Sequence, residues 1–414
     1  SSGALYNSNT TTASGYAGVI TLTGNTLIVG ATSGTTGTIA LSNTGTMGNT
    51  STGTTTLTLS GSAGGSIASI IANGSGTVAI TKEGTGTWTL SGLNTYTGAT
   101  TINAGTLTAG STTAFGNGSA VNLTTSGATL SLVTFNNTID SLTGVTGTTV
   151  NLGTATLTVG DGNDTAYAGA IIASSTSTGS LTKVGTSTLT LSGTNTYGGT
   201  TTISTGVLKA GSTTAFGNSA MVVSSGGALD LAGFTRSNTT ATLSLTGTGV
   251  SSSGALFNSS ATAATYAGNV TLAGASTITV GAGDITISGA MTSASTVTLT
   301  KAGTGTLTLS GANDTSYTGA TAVTTGILKA GSTTAFGASA ITVSNGAALD
   351  LNGKVLSNTT STLSLIGTGV SSSGALYNSN TTTASGYAGN VTLAGASTIT
   401  VGAGDITISG AMTS

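Results

Sequence analysis

Apolar and polar residues alternate along many short stretches of this chain. Leu, Ile or Val recurs at every second position in GTLTLSG at 305–311, DITISGAM at 284–291 and GALDLAG at 227–233, with Thr, Ser or Asp between them. A period of two is typical of β-strands, and the Gly, Asn and Ser clusters that separate these stretches are typical of turns. No stretch shows the spacing of an amphipathic helix. The pattern therefore predicts an all-β protein with almost no helix.

The same strand-like segments are written several times. TKEGTGTWTLSG at 81–92 returns as TKVGTSTLTLSG at 182–193 and as TKAGTGTLTLSG at 300–311. We interpret the chain as one continuous solenoid of long copies, because a stacked architecture accepts repeats and coil-sized deletions that a globular core does not. The predicted copies are listed here: 1–81 (partial), 82–182, 183–300 and 301–414 (truncated).

One insertion interrupts the agreement between copies. The third copy has NDTSY at 313–317 where the others have NTY, so two residues are added. An insertion within a paired strand would shift its register. We therefore expect a loop at this point.

The composition decides between a sandwich and a solenoid. Aromatic residues make up 4% of the 414 residues, with one Trp, whereas Gly occurs 67 times and Pro is absent. A sandwich normally hides bulky side chains between its sheets, whereas small inward residues fit a narrow solenoid interior in which like side chains stack. The prediction is a right-handed parallel β-helix.

A family resemblance follows from the continuation of the repeated segment. GTGTWTLSGLNTYTGATTINAGTLTAG at 84–110 resembles the passenger-associated strand repeat of bacterial autotransporters, and the segments after Lys183 and Lys301 resemble it too. The matching positions of the first copy are Gly86, Leu90, Gly92, Asn94, Tyr96, Gly98, Thr100, Ile102, Gly105, Leu107 and Gly110. The resemblance implies an exported, right-handed β-helical passenger on a bacterial outer surface.

Charge and residue types exclude several kinds of function. Lys and Arg total seven, scattered singly, and the net charge is −2, so no basic stripe is present for nucleic acid. His and Cys are absent, which removes the usual general base, thiolate nucleophile and transition-metal ligands. No apolar run approaches the length of a membrane helix. We predict no catalytic or cofactor-binding residue, no enzyme activity and no membrane-spanning segment in this window.

The stretch VGDGNDTAYAG at 159–169 holds the closest acidic pair of the sequence. Asp161 and Asp164 could serve as paired carboxylates in glycoside hydrolysis, but no repeated or unique acidic cleft surrounds them. With Asn163 they faintly resemble the calcium loops of β-roll repeats, so calcium is the one cofactor kept as an alternative. The preferred interpretation is a turn rich in Asp and Asn between two strands.

Lysines occupy the same place in every copy. We predict that Lys82, Lys183 and Lys301 point outward and protect sheet edges, with docking to a carbohydrate or acidic neighbour as the alternative. Lys209 and Lys329 occupy a second repeated position, and the same two interpretations apply to them.

Leucines and tyrosines also recur at fixed positions. The leucines that follow these lysines are predicted to be buried: Leu90, Leu191 and Leu309. The tyrosines are predicted to cap a corner of the solenoid, with a row for sugar stacking as the alternative: Tyr96, Tyr197 and Tyr317.

Two functions fit these features. The first is a structural or adhesive stalk at the bacterial cell surface or in the extracellular space, acting by length and surface display. The alternative is the subunit of a self-assembling extracellular filament or sheath. The expected partners are other copies or neighbouring repeats, end to end or laterally, and a host or surface carbohydrate or protein.

Overall fold

A computed structural model describes residues 3–9, 11–31, 36–160, 162–313, 316–402 and 404–414. The chain divides into two compact units, Ser1–Thr201 with Thr214–Ser219 and Thr202–Thr213 with Ala220–Ser414. Within the described residues, helical structure is confined to two single 3-10 turns, Val250–Ser252 and Val370–Ser372. None of the described residues forms a helix long and apolar enough to cross a membrane.

Short strands follow one another throughout both units. The strands of the first unit are β1 (Leu5–Tyr6), β2 (Ser14–Tyr16), β3 (Thr26–Val29), β4 (Ile39–Leu41), β5 (Thr46–Met47), β6 (Thr54–Ser60), β7 (Gly64–Ile67), β8 (Ile70–Ile71), β9 (Thr77–Lys82), β10 (Thr87–Leu90), β11 (Thr100–Ile102), β12 (Thr106–Ala109), β13 (Val121–Leu123), β14 (Thr129–Ser131), β15 (Asn137–Ile139), β16 (Leu142–Gly144), β17 (Thr149–Asn151), β18 (Thr156–Val159), β19 (Thr165–Tyr167), β20 (Ala170–Ile172), β21 (Ser180–Lys183) and β22 (Thr188–Leu191).

Strand β23 (Thr201–Ile203) contains the point at which the chain passes from the first unit to the second. The strands of the second unit are β24 (Gly206–Ala210), β25 (Met221–Val223), β26 (Gly227–Asp230), β27 (Thr235–Arg236), β28 (Leu243–Gly247), β29 (Leu256–Asn258), β30 (Ala264–Tyr266), β31 (Val270–Val280), β32 (Ile285–Ile287), β33 (Met291–Ser293), β34 (Thr298–Ala302), β35 (Thr306–Leu309), β36 (Ala320–Val323), β37 (Gly326–Ala330), β38 (Ile341–Val343), β39 (Ala347–Asp350), β40 (Val355–Leu356), β41 (Thr362–Gly367), β42 (Leu376–Tyr377), β43 (Ser385–Tyr387), β44 (Asn390–Ser397), β45 (Ile399–Thr400), β46 (Ile406–Ile408) and β47 (Met412–Thr413).

Strands in the first unit stack in parallel, coil upon coil. One ladder runs through β2, β4, β7, β10, β12, β14, β17 and β20. In this ladder Trp88 pairs with Leu107, Leu107 with Leu130, and Leu130 with Val150. All four side chains are fully buried. Like positions therefore stack at the inter-strand spacing of about 4.8 Å, and the core is a column of aliphatic side chains.

The second unit repeats this construction. Its ladder runs through β27, β30, β32, β35, β37, β39, β42 and β45. Ile285 pairs with Leu307, which is followed in the column by Leu328, Leu349 and Leu376. These five side chains are fully buried, because the period of two places every second residue on the inner face.

The single Trp fits the narrow interior because glycine lies next to it. Trp88 pairs with Gly65 on the preceding coil, where an added Cβ would come within 3.1 Å of the indole ring. The indole N–H donates to the Ser60 carbonyl over 3.0 Å. The large ring is thus accommodated by a missing side chain on the neighbouring strand.

These observations confirm the predicted all-β parallel solenoid. They also confirm the predicted burial of the leucines, since Leu90, Leu191 and Leu309 have no exposed surface. The expected loop insertion falls partly on residues 314–315, which lie outside the described residues; on either side, Asn313 and Ser316 belong to no strand. The boundaries assigned to the copies remain a prediction.

Candidate functional site

The repeated lysine is buried inside the solenoid. Lys82 has no exposed surface, and its Nζ donates to the backbone carbonyls of Glu83, Gly84 and Ala104 over 2.7 to 2.8 Å. An ammonium group has three N–H donors, and all three have acceptors here. Lys82 therefore ties the bend after its own strand to the bend of the next coil.

The third copy has the same arrangement. Lys301 is fully buried, and its Nζ donates to the carbonyls of Ala302, Gly303 and Thr325 over 2.7 to 3.0 Å. In the second copy Lys183 is 1% exposed, and its Nζ donates to the carbonyl of Val184. The prediction that these lysines point outward is wrong, and so is the surface docking role that was its alternative.

A glycine leaves room for the ammonium groups of Lys82 and Lys301. Gly105 has φ +66°, a left-handed conformation, and a Cβ added there would lie 2.8 Å from Nζ of Lys82. Gly326 has φ +67° and stands at the same distance from Nζ of Lys301. Both the backbone conformation and the close approach require glycine at this position.

Burial changes the titration of these lysines. Loss of hydration lowers the pKa of Lys82 to about 8, and the charge of Glu83 opposes this shift. Burial likewise lowers the pKa of Lys301 to about 8, against the opposing charge of Asp284. Because their three hydrogen bonds go to backbone carbonyls, these amines serve to hold the backbone.

The repeated asparagine connects three successive coils. Asn94 accepts a hydrogen bond from the N–H of Ile71 on the coil before and donates to the carbonyl of Ala114 on the coil after, over 2.8 and 2.7 Å. Asn195 does the same between Ile171 and Ala215. In the third copy, Asn313 links the N–H of Met291 to the carbonyl of Ala335. The three amides are at most 4% exposed, and each forms an asparagine bridge between its own neighbouring coils.

The repeated tyrosine is an interior group as well. Tyr96 is fully buried, and its hydroxyl lies 2.7 Å from that of Thr100, which lies 3.1 Å from that of Ser119. The same chain of hydroxyls occurs in the other two copies: Tyr197, Thr201 and Ser219, and Tyr317, Thr321 and Ser339. Burial raises the pKa of Tyr317 to about 12.

This placement excludes the sugar-stacking alternative for the tyrosines. A row for sugar stacking needs exposed ring faces, and the rings of Tyr96, Tyr197 and Tyr317 have none. Tyr96 does lie in the bend between β10 and β11, as a residue at a corner should. Each ring fills the interior, and its hydroxyl is paired within the same unit.

The second lysine position forms an ion pair with the next coil. Lys329 lies 3.3 Å from the carboxylate of Asp350, which is 1% exposed and accepts from the N–H groups of Asn352 and Ser379. Lys209 and Asp230 repeat this pair at 3.5 Å.

The first copy lacks both members of this pair. In the paired strands β12 and β14, Thr108 stands opposite Ser131, where the later copies have Lys and Asp. The cation and the carboxylate are thus present together or absent together. Their position on neighbouring coils accounts for this, because either charge alone would lose its partner.

The structure describes only some of the candidate calcium ligands. Asp161 lies outside the described residues. Asp164 precedes β19, and its carboxylate accepts from the N–H of Thr188 at the start of β22 over 2.7 Å. Asp284 precedes β32, and its carboxylate accepts in the same way from the N–H of Thr306. Among the described residues, no group of three or more His, Cys, Asp or Glu could hold a metal ion. A calcium site at Asp161, Asn163 and Asp164 therefore remains untested.

An open cavity of about 130 Å³ lies in the second unit beside Tyr387. Its walls combine apolar side chains with hydroxyl and amide groups, and we call it the Tyr387 cavity. The lining residues are Thr333, Thr334, Phe336, Gly337, Ile341, Leu356, Ser357, Asn358, Ser361 and Tyr387. Sequence reasoning missed it, because it depends on which residues of successive coils face each other. A usable signal was the replacement of Arg236 by Leu356 in otherwise similar SNTT segments.

Comparisons with known proteins support the repeat assignment. The model of the passenger-associated-transport-repeat matches residues 80–109, 181–210 and 299–330. These segments contain the buried Lys, Asn and Tyr of each copy. A comparison with solved structures finds no significant match.

One curated relative is similar over part of the chain. The chain is 48% identical over 82 residues to a protein named adhesin BmaC autotransporter, from Brucella suis biovar 1 (strain 1330). The matched segment is 19% of this chain and spans 2% of the relative's length. Together with the interior contacts, these findings confirm the resemblance seen in the sequence: the chain carries three copies of the passenger-associated-transport repeat.

Proposed function

We propose that the chain is a structural or adhesive stalk segment of a bacterial surface or secreted protein, acting by its length and by the surface it displays. The observation that carries the proposal is the recurrence of one interior framework in three passenger repeats. Lysine, asparagine and tyrosine side chains that could bind or react are instead bonded to the protein's own backbone and hydroxyls. The repeats thus extend the molecule without adding a reactive site.

Two further facts support a role without turnover. The chain contains no His and no Cys. The relative over the matched 82 residues is named an adhesin. A display role at the cell surface or outside the cell accounts for both, since attachment needs reach and a stable fold rather than a catalytic group.

The test removes one complete copy in register. Deleting residues 252–371 joins Ser251 to Ser372 and restores the segment VSSSGAL that occurs at both places. We expect a folded, shorter molecule with reduced but measurable attachment to cell surfaces. At roughly 4.8 Å per coil and about five coils, the particle should shorten by about 25 Å in electron micrographs.

A control deletion of residues 252–365 starts at the same place but ends inside β41. It should disrupt folding of the following coils, because the register of the ladder is lost. The stalk proposal is contradicted if the in-register deletion unfolds the remaining chain or abolishes a measurable catalytic activity. Long fibres formed by the intact chain, with attachment unchanged by the deletion, would favour the filament alternative.

A further inference from the structure

Two equivalent points of the second unit carry different residues beside a buried tyrosine. Strand β27 places Arg236 opposite Tyr266 of the next coil, and strand β40 places Leu356 opposite Tyr387 in the same way. Both segments continue with SNTT. The pairing register, not only the sequence, therefore identifies Arg236 and Leu356 as equivalent.

In the earlier copy, a guanidinium group occupies the space beside the tyrosine. Arg236 is 5% exposed, and its Nη1 donates to the hydroxyl of Tyr266 over 2.8 Å. Its guanidinium carbon lies 5.5 Å from the centroid of the Tyr266 ring, within the range of a cation–π contact. The tyrosine hydroxyl in turn donates to the carbonyl of Ala241 over 3.3 Å.

In the later copy, Leu356 does not fill that space, and a cavity remains with Tyr387, 2% exposed, in its wall. The Tyr387 cavity measures about 130 Å³ and has room for several water molecules. The hydroxyl of Tyr387 donates to Ser361 Oγ over 3.2 Å, so its lone pairs remain able to accept a hydrogen bond. Leu356, Phe336 and Ile341 form the apolar wall, and the remaining lining groups are uncharged.

We propose that the Tyr387 cavity binds a guanidinium group, supplied by an arginine side chain of a partner. The group would contact the Tyr387 ring and donate to the Tyr387 hydroxyl, as Arg236 does with Tyr266 in the same chain. A planar, weakly hydrated guanidinium group suits a semi-apolar wall better than a strongly hydrated ammonium group does. Anionic ligands are disfavoured, because no cationic side chain lines the cavity. This inference does not depend on the stalk proposal.

The test follows the ring signals of labelled tyrosines by NMR. The Tyr387 signal is assigned with Tyr387→Phe, and the chain is titrated with acetyl-Gly-Arg-Gly-amide and with methylguanidinium. Peptides with citrulline or lysine in place of arginine are the matched controls. We expect a saturable shift of the Tyr387 signal with the arginine peptide, and shifts at least about tenfold smaller at equal concentration with the two control peptides.

Two variants test whether the shift of the Tyr387 signal comes from binding in the Tyr387 cavity. Leu356→Arg should fill the cavity with the chain's own side chain and remove the shift. Arg236→Leu should open the corresponding space beside Tyr266, so that a second tyrosine signal responds to the arginine peptide. The second variant keeps the test decisive if the first does not fold.

Several outcomes would overturn the inference. These are an arginine peptide that leaves the Tyr387 signal unchanged, an equal response to the lysine peptide, or a response that persists undiminished in a folded Leu356→Arg chain. A shift with methylguanidinium but none with the peptide would contradict the arginine side chain as the source.

Discussion

A charged lysine inside a narrow solenoid needs strong compensation. For Lys82, that compensation is three backbone carbonyls that accept from one ammonium group, in a space kept free by Gly105. Charged groups are rarely buried unless they are paired or hydrogen-bonded. At the scale of the single residue, the repeated lysine is therefore a structural cross-link between bends.

The lowered pKa of this lysine predicts how stability depends on pH. Lys82 and Lys301 titrate at about 8 in the folded chain and at 10.5 when unfolded. Between these values the unfolded chain holds the proton and the folded chain does not, so the free energy of unfolding should rise with pH. The slope should be up to about 1.4 kcal/mol per pH unit for each lysine. Urea unfolding from pH 7 to 9.5 measures it.

The predicted rise of stability with pH has an upper limit, and a double variant provides its control. Above pH 10 the buried tyrosines reverse the trend, because burial raises the pKa of Tyr317 to about 12 and only the unfolded chain releases its phenol protons. Lys82→Met combined with Lys301→Met should flatten the rise below pH 9.5. A rise that is equally steep in the double variant would assign it to other groups.

The alternation of residues in the sequence indicated that Lys82 is buried, but its charge led to the opposite prediction. Lys82 follows Val78 and Ile80 at every second position, and the alternation places all three on the inner face. The expectation that charged residues lie outside outweighed the period of two. The carbonyls that stabilise the ammonium group come partly from another coil, which a period of two within one strand cannot reveal.

At the scale of the element, the buried backbone N–H and carbonyl groups at the bends between strands need hydrogen-bond partners in the interior. Each repeat supplies them with one asparagine, which accepts from the coil before and donates to the coil after. Strand alternation predicted the aliphatic columns correctly. It could not predict the asparagine bridges, because Asn94 lies outside the strands and its partners, Ile71 and Ala114, are more than a dozen residues away on either side.

Replacing one bridging asparagine should therefore destabilise the unit markedly. Asn94→Ala leaves the buried N–H of Ile71 and the buried carbonyl of Ala114 without their partner. We expect a loss of about 2–4 kcal/mol in the free energy of unfolding, since each buried unpaired group costs about 1–3 kcal/mol. Urea unfolding at pH 7, followed by the fluorescence of Trp88 in the same unit, measures it.

Asn122 provides a matched control in the same unit. It lies on the outer face of β13, and its amide oxygen accepts from the hydroxyl of Thr143 over 2.5 Å. Asn122→Ala should change the free energy of unfolding by less than about 0.5 kcal/mol, because water can replace that partner. Equal losses in Asn94→Ala and Asn122→Ala would refute a special role for the asparagine bridge.

The ion pair between coils predicts a coupled pair of substitutions. Lys329→Thr leaves the buried carboxylate of Asp350 without its cation and should cost about 1–3 kcal/mol. Adding Asp350→Ser reproduces the Thr and Ser of the first copy and should recover part of that loss. A double-mutant cycle on urea unfolding measures the coupling. Strictly additive losses would mean that the pair contributes nothing, and Lys209 with Asp230 offers an independent repeat of the cycle.

At the scale of the whole molecule, there are few cationic side chains, and most of them are buried. The chain contains seven Lys and Arg in 414 residues. Four of them are at most 5% exposed: Lys82, Lys183, Lys301 and Arg236. Two others, Lys209 and Lys329, are held beside Asp230 and Asp350. Lys354, the seventh, is half-buried.

The enclosure of these side chains has a consequence for proteolysis. Trypsin must draw a Lys or Arg side chain and its extended backbone into its own cleft, and at most of the seven positions this requires a coil to open first. Cleavage by trypsin at the four buried basic residues should therefore report opening of the coils around them rather than surface accessibility. The side chains of Tyr6 and Tyr16, in contrast, are exposed, so chymotrypsin has only their strand backbones to release. A protease specific for basic residues thus finds only three partly exposed targets on the folded chain, Lys209, Lys329 and Lys354.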